Sequence, residues 1–122
     1  MTILIVEDNA SLRRLLRRTI HHLASQVWEC EDGADALAAY MEHTPDLVLM
    51  DVRMPRTDGI EATRQIRKFD RDARIVIVTD YDDDELRVIA REAGASGYAL
   101  KQNLTELESV IGLSEESKRS DD

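Results

Sequence analysis

Five short apolar runs, each followed by a segment with helical spacing, restrict the fold of this chain more than any other feature. The runs are rich in Val, Ile and Leu and are nearly uninterrupted by polar residues. Strands buried on both faces have this character, whereas a strand with one solvated face alternates apolar and polar residues. The predicted strands cover residues 3–6, 27–30, 47–50, 75–78 and 97–100.

The segments between these runs predict amphipathic helices. In the first, Leu12, Leu16, Ile20 and Leu23 share one face of a helix over residues 10–24. Acidic residues suited to helix N-caps precede the next three, and Gly94 is suited to end the fourth. The predicted starts are Asp32 (with a stop before Pro45), Asp58, Asp82 or Asp83, and Asn103 or Thr105. Regular alternation of strand and helix predicts an α/β fold with helices on both faces of a parallel sheet.

The length of 122 residues suits one domain, and the charge argues against two classes of partner. There are 25 acidic and 16 basic residues, a net charge of −9, which argues against direct contact with nucleic acid or an anionic membrane. The single cysteine, Cys30, excludes an intramolecular disulfide, and its apolar surroundings predict a buried thiol rather than a reactive one.

The two ends of the chain carry separate expectations. No apolar stretch approaches the roughly 20 residues of a membrane span, and the first residues read as a strand rather than a signal sequence, so a cytoplasmic protein is expected. The last residues, SEESKRSDD, contain no apolar side chain. Residues 1–112 are therefore predicted to form the domain, and residues 113–122 a flexible tail or the start of a linker.

Polar residues follow four of the five predicted strands. Glu7 and Asp8 follow the first strand, Asp51 the third and Lys101 the fifth, while Thr79 closes the fourth. Because ligands bind at the carboxyl ends of the strands of an open parallel sheet, these side chains are expected to form one site.

This set of side chains predicts a cation site that handles phosphate. Grouped carboxylates repel one another unless a hard dication such as Mg²⁺ (or Mn²⁺) neutralises them. A hydroxyl and an ammonium suit phosphoryl oxygens, and Asp51 is placed to act as a nucleophile that forms an acyl phosphate. Taken singly, each residue also has a structural interpretation: helix-entry acids, a turn residue, a strand-end threonine and a solvated lysine. Their joint placement favours the functional one.

Four motifs make the chain similar to the receiver domain of two-component response regulators over residues 2–112. They are ILIVEDN, LVLMDVRMPRTDG, IVIVTD and AGASGYALK, in this order. The resemblance implies a flavodoxin-like (βα)5 fold whose five-stranded parallel sheet has the order 2-1-3-4-5. It also implies a signalling module rather than an enzyme, which takes a phosphoryl group from the phosphohistidine of a histidine kinase.

The resemblance assigns a role to each site residue. Asp51 matches the phosphoacceptor, Asp8 the direct metal ligand, and Glu7 its neighbour, which acts through a metal-bound water. Arg53 corresponds to the residue that offers its backbone carbonyl to the metal, and Lys101 to the lysine that contacts the phosphoryl oxygens.

Further positions match the family's switch residues and the residues that shape its phosphorylation pocket. Thr79 and Tyr98 resemble the switch pair, in which the hydroxyl moves toward the phosphate and the ring turns inward. Met54 and Pro55 match the wall of the pocket, and Asp58–Gly59 match the turn into the third helix.

Two positions depart from the family pattern. Asp80 follows Thr79 where a small residue is common, and its carboxylate is expected to repel or hinder the phosphodonor. Gln102 stands where many members have proline, so a cis bond at Lys101–Gln102, which costs about 3–4 kcal/mol without proline, is not expected. This feature, with GYALK and DYDDDELR, resembles the receivers of helix-turn-helix transcriptional regulators.

The implied partner is a sensor histidine kinase or phosphotransfer protein, and dimerisation on phosphorylation is compatible with the family pattern. One hypothesis has Leu12 and Leu15 meet the donor while Arg13, Arg14, Arg17 and Arg18 steer it; the alternative makes the leucines core and the arginines a solvated face. His21, His22 and His43 are expected at the surface rather than as ligands.

Two other functions compete with this interpretation. An aspartyl-nucleophile phosphatase resembles D-x-D, but here Arg53 stands at the second position. A degenerate receiver-like binding module typically lacks Asp8, Asp51 or Lys101, and all three are present.

Overall fold

A computed structural model describes residues 1–54 and 57–120 and contains five parallel strands in one sheet. The strands are β1 (Thr2–Val6), β2 (Gln26–Cys30), β3 (Leu47–Met50), β4 (Ile75–Thr79) and β5 (Gly97–Leu100). The helices are α1 (Ala10–Ile20), α2 (Ala36–His43), α3 (Gly59–Phe69), α4 (Asp84–Ala93) and α5 (Leu107–Ser120). The sheet order is β2-β1-β3-β4-β5, all parallel, which confirms the predicted order and fold class.

The sheet separates two apolar layers, which explains the nearly continuous apolar runs. Alternate residues of β1 point to opposite sides: Leu4 and Val6 pack with α2, α3 and α4, whereas Ile3 and Ile5 pack with α1 and α5. The central strands β3 and β4 are buried throughout. At the edge, β2 is only partly buried, because it has a neighbouring strand on one side alone.

Three predicted helix boundaries, at Asp58, Asp83 and Gly94, are confirmed by their caps. The carboxylate of Asp58 accepts from Glu61 N at 2.9 Å, and that of Asp83 accepts from Glu85 N at 2.9 Å. Gly94 ends α4 with a φ of 107°, in the left-handed region that favours glycine.

Three helix boundaries differ from the predictions. The first helix ends at Ile20 rather than residue 24, because Leu23 N turns back to Ile20 O at 2.8 Å. Asp32 caps a short 3-10 turn, Gly33–Asp35, that precedes α2. A second 3-10 segment, Lys101–Glu106, delays α5 to Leu107, and within it Asn103 has a non-helical backbone.

The C-terminal helix continues beyond the predicted boundary at residue 112. Its backbone is helical to Ser120. Ser114 Oγ accepts from Arg74 Nη2 at 3.2 Å, and both residues are buried. The division into residues 1–112 and 113–122 stays a prediction. Within the described ranges, no helix is long and apolar enough to cross a membrane.

Candidate phosphorylation site

The strand register brings the predicted site residues to one edge of the sheet. Val6 is paired with Met50, so Glu7 and Asp51 follow side by side, and Asp51 N donates to Val6 O at 2.9 Å. At the other side of the site Thr79 is paired with Leu100, so that Lys101 comes next.

Three carboxylates meet at this edge. Glu7, Asp8 and Asp51 each offer an oxygen, and these oxygens lie within 4.8 Å of one another. Glu7 and Asp51 are 1% and 4% exposed, whereas Asp8 faces solvent. A set of hard oxygen donors that is open on one side suits a divalent cation such as Mg²⁺, which retains several waters.

Lys101 lies between two of these carboxylates. Its Nζ is 2.9 Å from Asp51 Oδ1 and 3.0 Å from Glu7 Oε1. Burial lowers the pKa of Lys101, but its hydrogen bonds to Asp51 and Glu7 outweigh burial and leave that pKa above its ordinary value. The ammonium is therefore charged at physiological pH and offsets part of the acidic charge.

The environment of Glu7 disfavours its ionised form. Burial, followed by a hydrogen bond to the Asp8 side chain, raises the pKa of Glu7 to about 7. The N–H of Asn9, which donates to Glu7 Oε2 at 3.1 Å, acts in the opposite direction, as does Lys101. Near neutral pH this acid is poised between its two forms, and a bound cation favours the ionised one.

Gly59 brings the end of the loop after Asp51 back against the start of that loop. Gly59 N donates to Val52 O at 2.8 Å, and a Cβ on Gly59 would lie 1.9 Å from the Asp51 carbonyl oxygen. The predicted Asp58–Gly59 turn therefore needs glycine for the close approach of two backbones. Met54 packs against the core in this loop, and Pro55 lies outside the described residues.

The predicted switch pair is joined through a third residue. Thr79, 1% exposed, accepts through Oγ1 from Tyr81 N at 3.3 Å. The Tyr98 hydroxyl donates to the carbonyl oxygen of the same Tyr81. The Arg87 guanidinium lies 4.4 Å from the centre of the Tyr98 ring.

Arg53 and Asp80 lie at the rim of the site. The Arg53 side chain is exposed, and its guanidinium lies 4.6 Å from the centre of the Tyr81 ring; the role predicted for its backbone carbonyl stays a prediction. An open cleft is lined by two of the three carboxylates, those of Glu7 and Asp8, and Asp80 forms part of its wall. The cleft is lined by Glu7, Asp8, Asn9, Ser11, Leu12, Asp80 and Lys101.

The role of Arg13 differs from the one expected. Its side chain is 14% exposed, and its Nη1 donates to Glu7 O at 2.8 Å and to Asp8 O at 3.2 Å, while Nε pairs with Glu29 at 3.3 Å. Arg13 therefore fixes the loop that carries the two acids. Its sequence position gives no sign of this, because the contact depends on how α1 sits on the sheet.

The three histidines lie outside the carboxylate group. His21 is exposed, His22 lies 3.1 Å from Glu108, and His43 stacks on Trp28 with ring centres 4.3 Å apart.

Comparisons with known proteins agree with this geometry. The response regulator receiver domain family matches residues 3–111. The chemotaxis protein CheY of Halobacterium salinarum is 41% identical over 81% of this chain and 82% of its own length. The transcriptional regulatory protein ResD of Bacillus subtilis is 40% identical over 81% of this chain but only 41% of its own length.

Solved structures show the same fold. A LuxR-family two-component response regulator from Aurantimonas sp. matches with a TM-score of 0.85 at 39% identity, over 91% of this chain and 81% of that one. A CheY-like receiver domain protein from Methanospirillum hungatei matches with a TM-score of 0.87 at 23% identity, over 99% and 98% of the two chains. The chain belongs to the response regulator receiver domain family and is a phosphoacceptor signalling domain.

Proposed function

We propose that Asp51 is the phosphoacceptor and that it takes its phosphoryl group from a phosphohistidine. The observation that carries this proposal is the position of the Asp51 carboxylate, 2.9 Å from Lys101 Nζ and grouped with Glu7 and Asp8. Phosphoryl transfer requires alignment and charge neutralisation more than covalent chemistry, and this set of groups supplies both.

The reaction balances as a displacement at phosphorus. A carboxylate oxygen of Asp51 forms the new O–P bond, and the P–N bond of the phosphohistidine breaks, with its electron pair returning to the imidazole. The Lys101 ammonium then shifts from the carboxylate oxygen to a phosphoryl oxygen. The Thr79 hydroxyl accepts the N–H of Tyr81 before transfer, and after moving toward the phosphoryl group it can donate its own proton to another phosphoryl oxygen.

A divalent cation, Mg²⁺ in our proposal, would be held by Asp8 and Asp51, by Glu7 through water and by the backbone carbonyl of Arg53. When bound, it neutralises the charge of the carboxylates and the phosphoryl oxygens. The close packing of Glu7, Asp8 and Asp51 supports this assignment.

The switch follows from the shared bonds of Tyr81. Movement of Thr79 toward the phosphoryl group breaks its 3.3 Å contact with Tyr81 N. Since Tyr98 is held by the carbonyl of the same residue, a shift of Tyr81 releases the Tyr98 ring from Arg87. The face of α4, β5 and α5 then repacks, and dimerisation through this face belongs to the same proposal.

For the donor, we propose that a histidine kinase or phosphotransfer protein docks on α1 in the cytoplasm. Leu15 is 41% exposed, which supports its role as a contact, whereas Leu12 is half-buried against the core. Control of transcription is the proposed output. It is supported by the sequence identity of 39% to a LuxR-family regulator and of 40% to ResD.

Incubation with acetyl phosphate and Mg²⁺, followed by intact mass spectrometry, tests the acceptor. We expect one phosphoryl group on the native chain and none on Asp51→Asn. An unmodified native chain, or equal modification of the variant, would contradict the proposal.

A further inference from the structure

Asp32 is a buried acid that neither the cation nor the phosphoryl group needs directly. It follows β2, is 4% exposed, and lies outside the carboxylate group formed by Glu7, Asp8 and Asp51. Burying a carboxylate is costly unless hydrogen bonds compensate, so its contacts indicate what the position contributes.

The Asp32 side chain joins two loops that are far apart in the sequence. Its Oδ1 accepts from Ala34 N at 2.8 Å, which caps the short 3-10 turn beside it. The same oxygen accepts from Thr57 N at 3.1 Å, 25 residues further along the chain. Thr57 belongs to the loop that connects Asp51 with α3.

The neighbouring glycine brings the two loops into contact. A Cβ on Gly33 would lie 2.3 Å from Thr57 O and 3.2 Å from Asp58 O, so only glycine allows this approach. On its other side the same segment ends at Gly59, which packs on the Asp51 carbonyl and closes the loop through Val52. The segment 57–59 is therefore held between the Asp32–Gly33 turn and the acceptor.

We propose that Asp32 is a positioning residue for phosphoryl transfer. Resting on the proposed function of Asp51, this inference states that the Asp32 carboxylate fixes the segment 57–59, which packs against the backbone of Asp51 and Val52. It thereby holds the acceptor carboxylate and the Arg53 carbonyl where a cation and a phosphodonor require them. A shift of Thr57 reaches Asp51 through Gly59 and Val52, and outer groups of this kind typically change metal affinity or activity 10- to 100-fold, as an order of magnitude.

Two substitutions separate the local cap from the contact between the loops. Asp32→Ser keeps an oxygen that can cap the 3-10 turn, but its shorter side chain does not extend to Thr57 N. Asp32→Asn keeps an acceptor oxygen at the length of the native side chain and removes the charge. Tyr40→Phe is a control for general destabilisation, because it removes a partly buried 2.7 Å hydrogen bond to Asp70 away from the site.

Three measurements test the proposal: amide hydrogen exchange at Thr57, Mg²⁺ titration followed by amide chemical shifts, and the initial rate of acetyl phosphate labelling. For Asp32→Ser we expect faster exchange at Thr57, Mg²⁺ affinity lowered about 10-fold, and slower labelling. Asp32→Asn is expected to stay within about threefold of the native chain in all three, and Tyr40→Phe to leave Mg²⁺ affinity unchanged.

The outcomes separate a failure of this inference from a failure of the proposed function of Asp51. If the native chain is not labelled, the proposed function fails. If the native chain is labelled, and Asp32→Ser has the same Mg²⁺ affinity and labelling rate as the native chain, Asp32 has no positioning role. Exchange at Thr57 that is as fast in Asp32→Asn as in Asp32→Ser would also overturn the proposal, because an acceptor oxygen at the native length should still hold the Thr57 N–H.

Discussion

Lys101 Nζ lies 2.9 Å from Asp51 Oδ1, and this ion pair connects the end of the edge strand β5 to the end of the central strand β3. The lysine also contacts Glu7 at 3.0 Å, so one ammonium lies between two buried acidic side chains. When Asp51 carries a phosphoryl group, this ammonium would contact a phosphoryl oxygen instead of the carboxylate oxygen. The pair therefore links the resting charge balance of the site to its chemistry.

Replacing Lys101 with Ala should slow the labelling of Asp51 by acetyl phosphate on the order of 100-fold, because removing one preorganised donor from a developing anion typically has this effect. The rate can be measured at saturating Mg²⁺ by intact mass. Lys68→Ala, which removes an exposed lysine on α3, is the matched control and should react like the native chain. An equal rate for Lys101→Ala would show that the ammonium does not act on the phosphoryl group.

Replacing Asp80 with Ala should accelerate labelling severalfold at low ionic strength. Asp80 lines the same open cleft as Lys101, the residue paired with Asp51, and its negative charge should repel an anionic phosphodonor. Because salt screens exposed charges, the gain should shrink as the salt concentration rises. Asp72→Ala removes an exposed acid near the N-terminal end of β4, remote from the cleft, and should leave the rate unchanged. A gain for Asp80→Ala that persists at high salt would indicate steric hindrance instead of charge repulsion.

The sequence predicted the strands and the site better than it predicted the links between them. Strand ends such as Asp51 and Lys101 could be placed because parallel strands bring their carboxyl ends to one edge. The contacts of Arg13 with the first loop and of Tyr81 with both switch residues depend on how helices and loops pack on the sheet. No local pattern encodes them. The end of α1 was misplaced for a related reason: the apolar spacing continues to Leu23, while the backbone already turns at Ile20.

Cys30 should react slowly with a thiol reagent until the protein unfolds. The side chain is 8% exposed, and burial, with a smaller effect from Asp35, raises its pKa to about 11. At pH 8 roughly one thiol in a thousand would then be ionised, against roughly a quarter for an unperturbed cysteine. The reaction with Ellman's reagent, measured with and without denaturant, checks this expectation.

The same pKa difference predicts how stability depends on pH. Because the folded-state pKa of Cys30 lies above that of the unfolded thiol, its contribution to the free energy of unfolding is complete below the unfolded pKa. This contribution is lost as the pH rises toward about 11. Denaturant unfolding of the native chain and of Cys30→Ala should therefore show a steeper loss of stability for the native chain at alkaline pH. Parallel pH profiles would contradict the assignment.

Replacing Leu15 with Arg tests the proposed docking surface on α1. Leu15 is 41% exposed, whereas Leu16 and Ile20 on the same helix are 2% and 1% exposed and belong to the core. The substitution should therefore leave the free energy of unfolding within about 0.5 kcal/mol of the native value. If Leu15 enters an apolar contact with the helices of a donor, transfer from a phosphorylated histidine kinase or phosphotransfer protein should fall by about tenfold or more, since a charge would be buried there. Labelling by acetyl phosphate, which needs no docking, should be unchanged and serves as the internal control.

Val88→Arg places the same charge at an equally exposed apolar position on α4 and should not affect transfer. Unchanged transfer to Leu15→Arg would mean that the donor approaches Asp51 by another face.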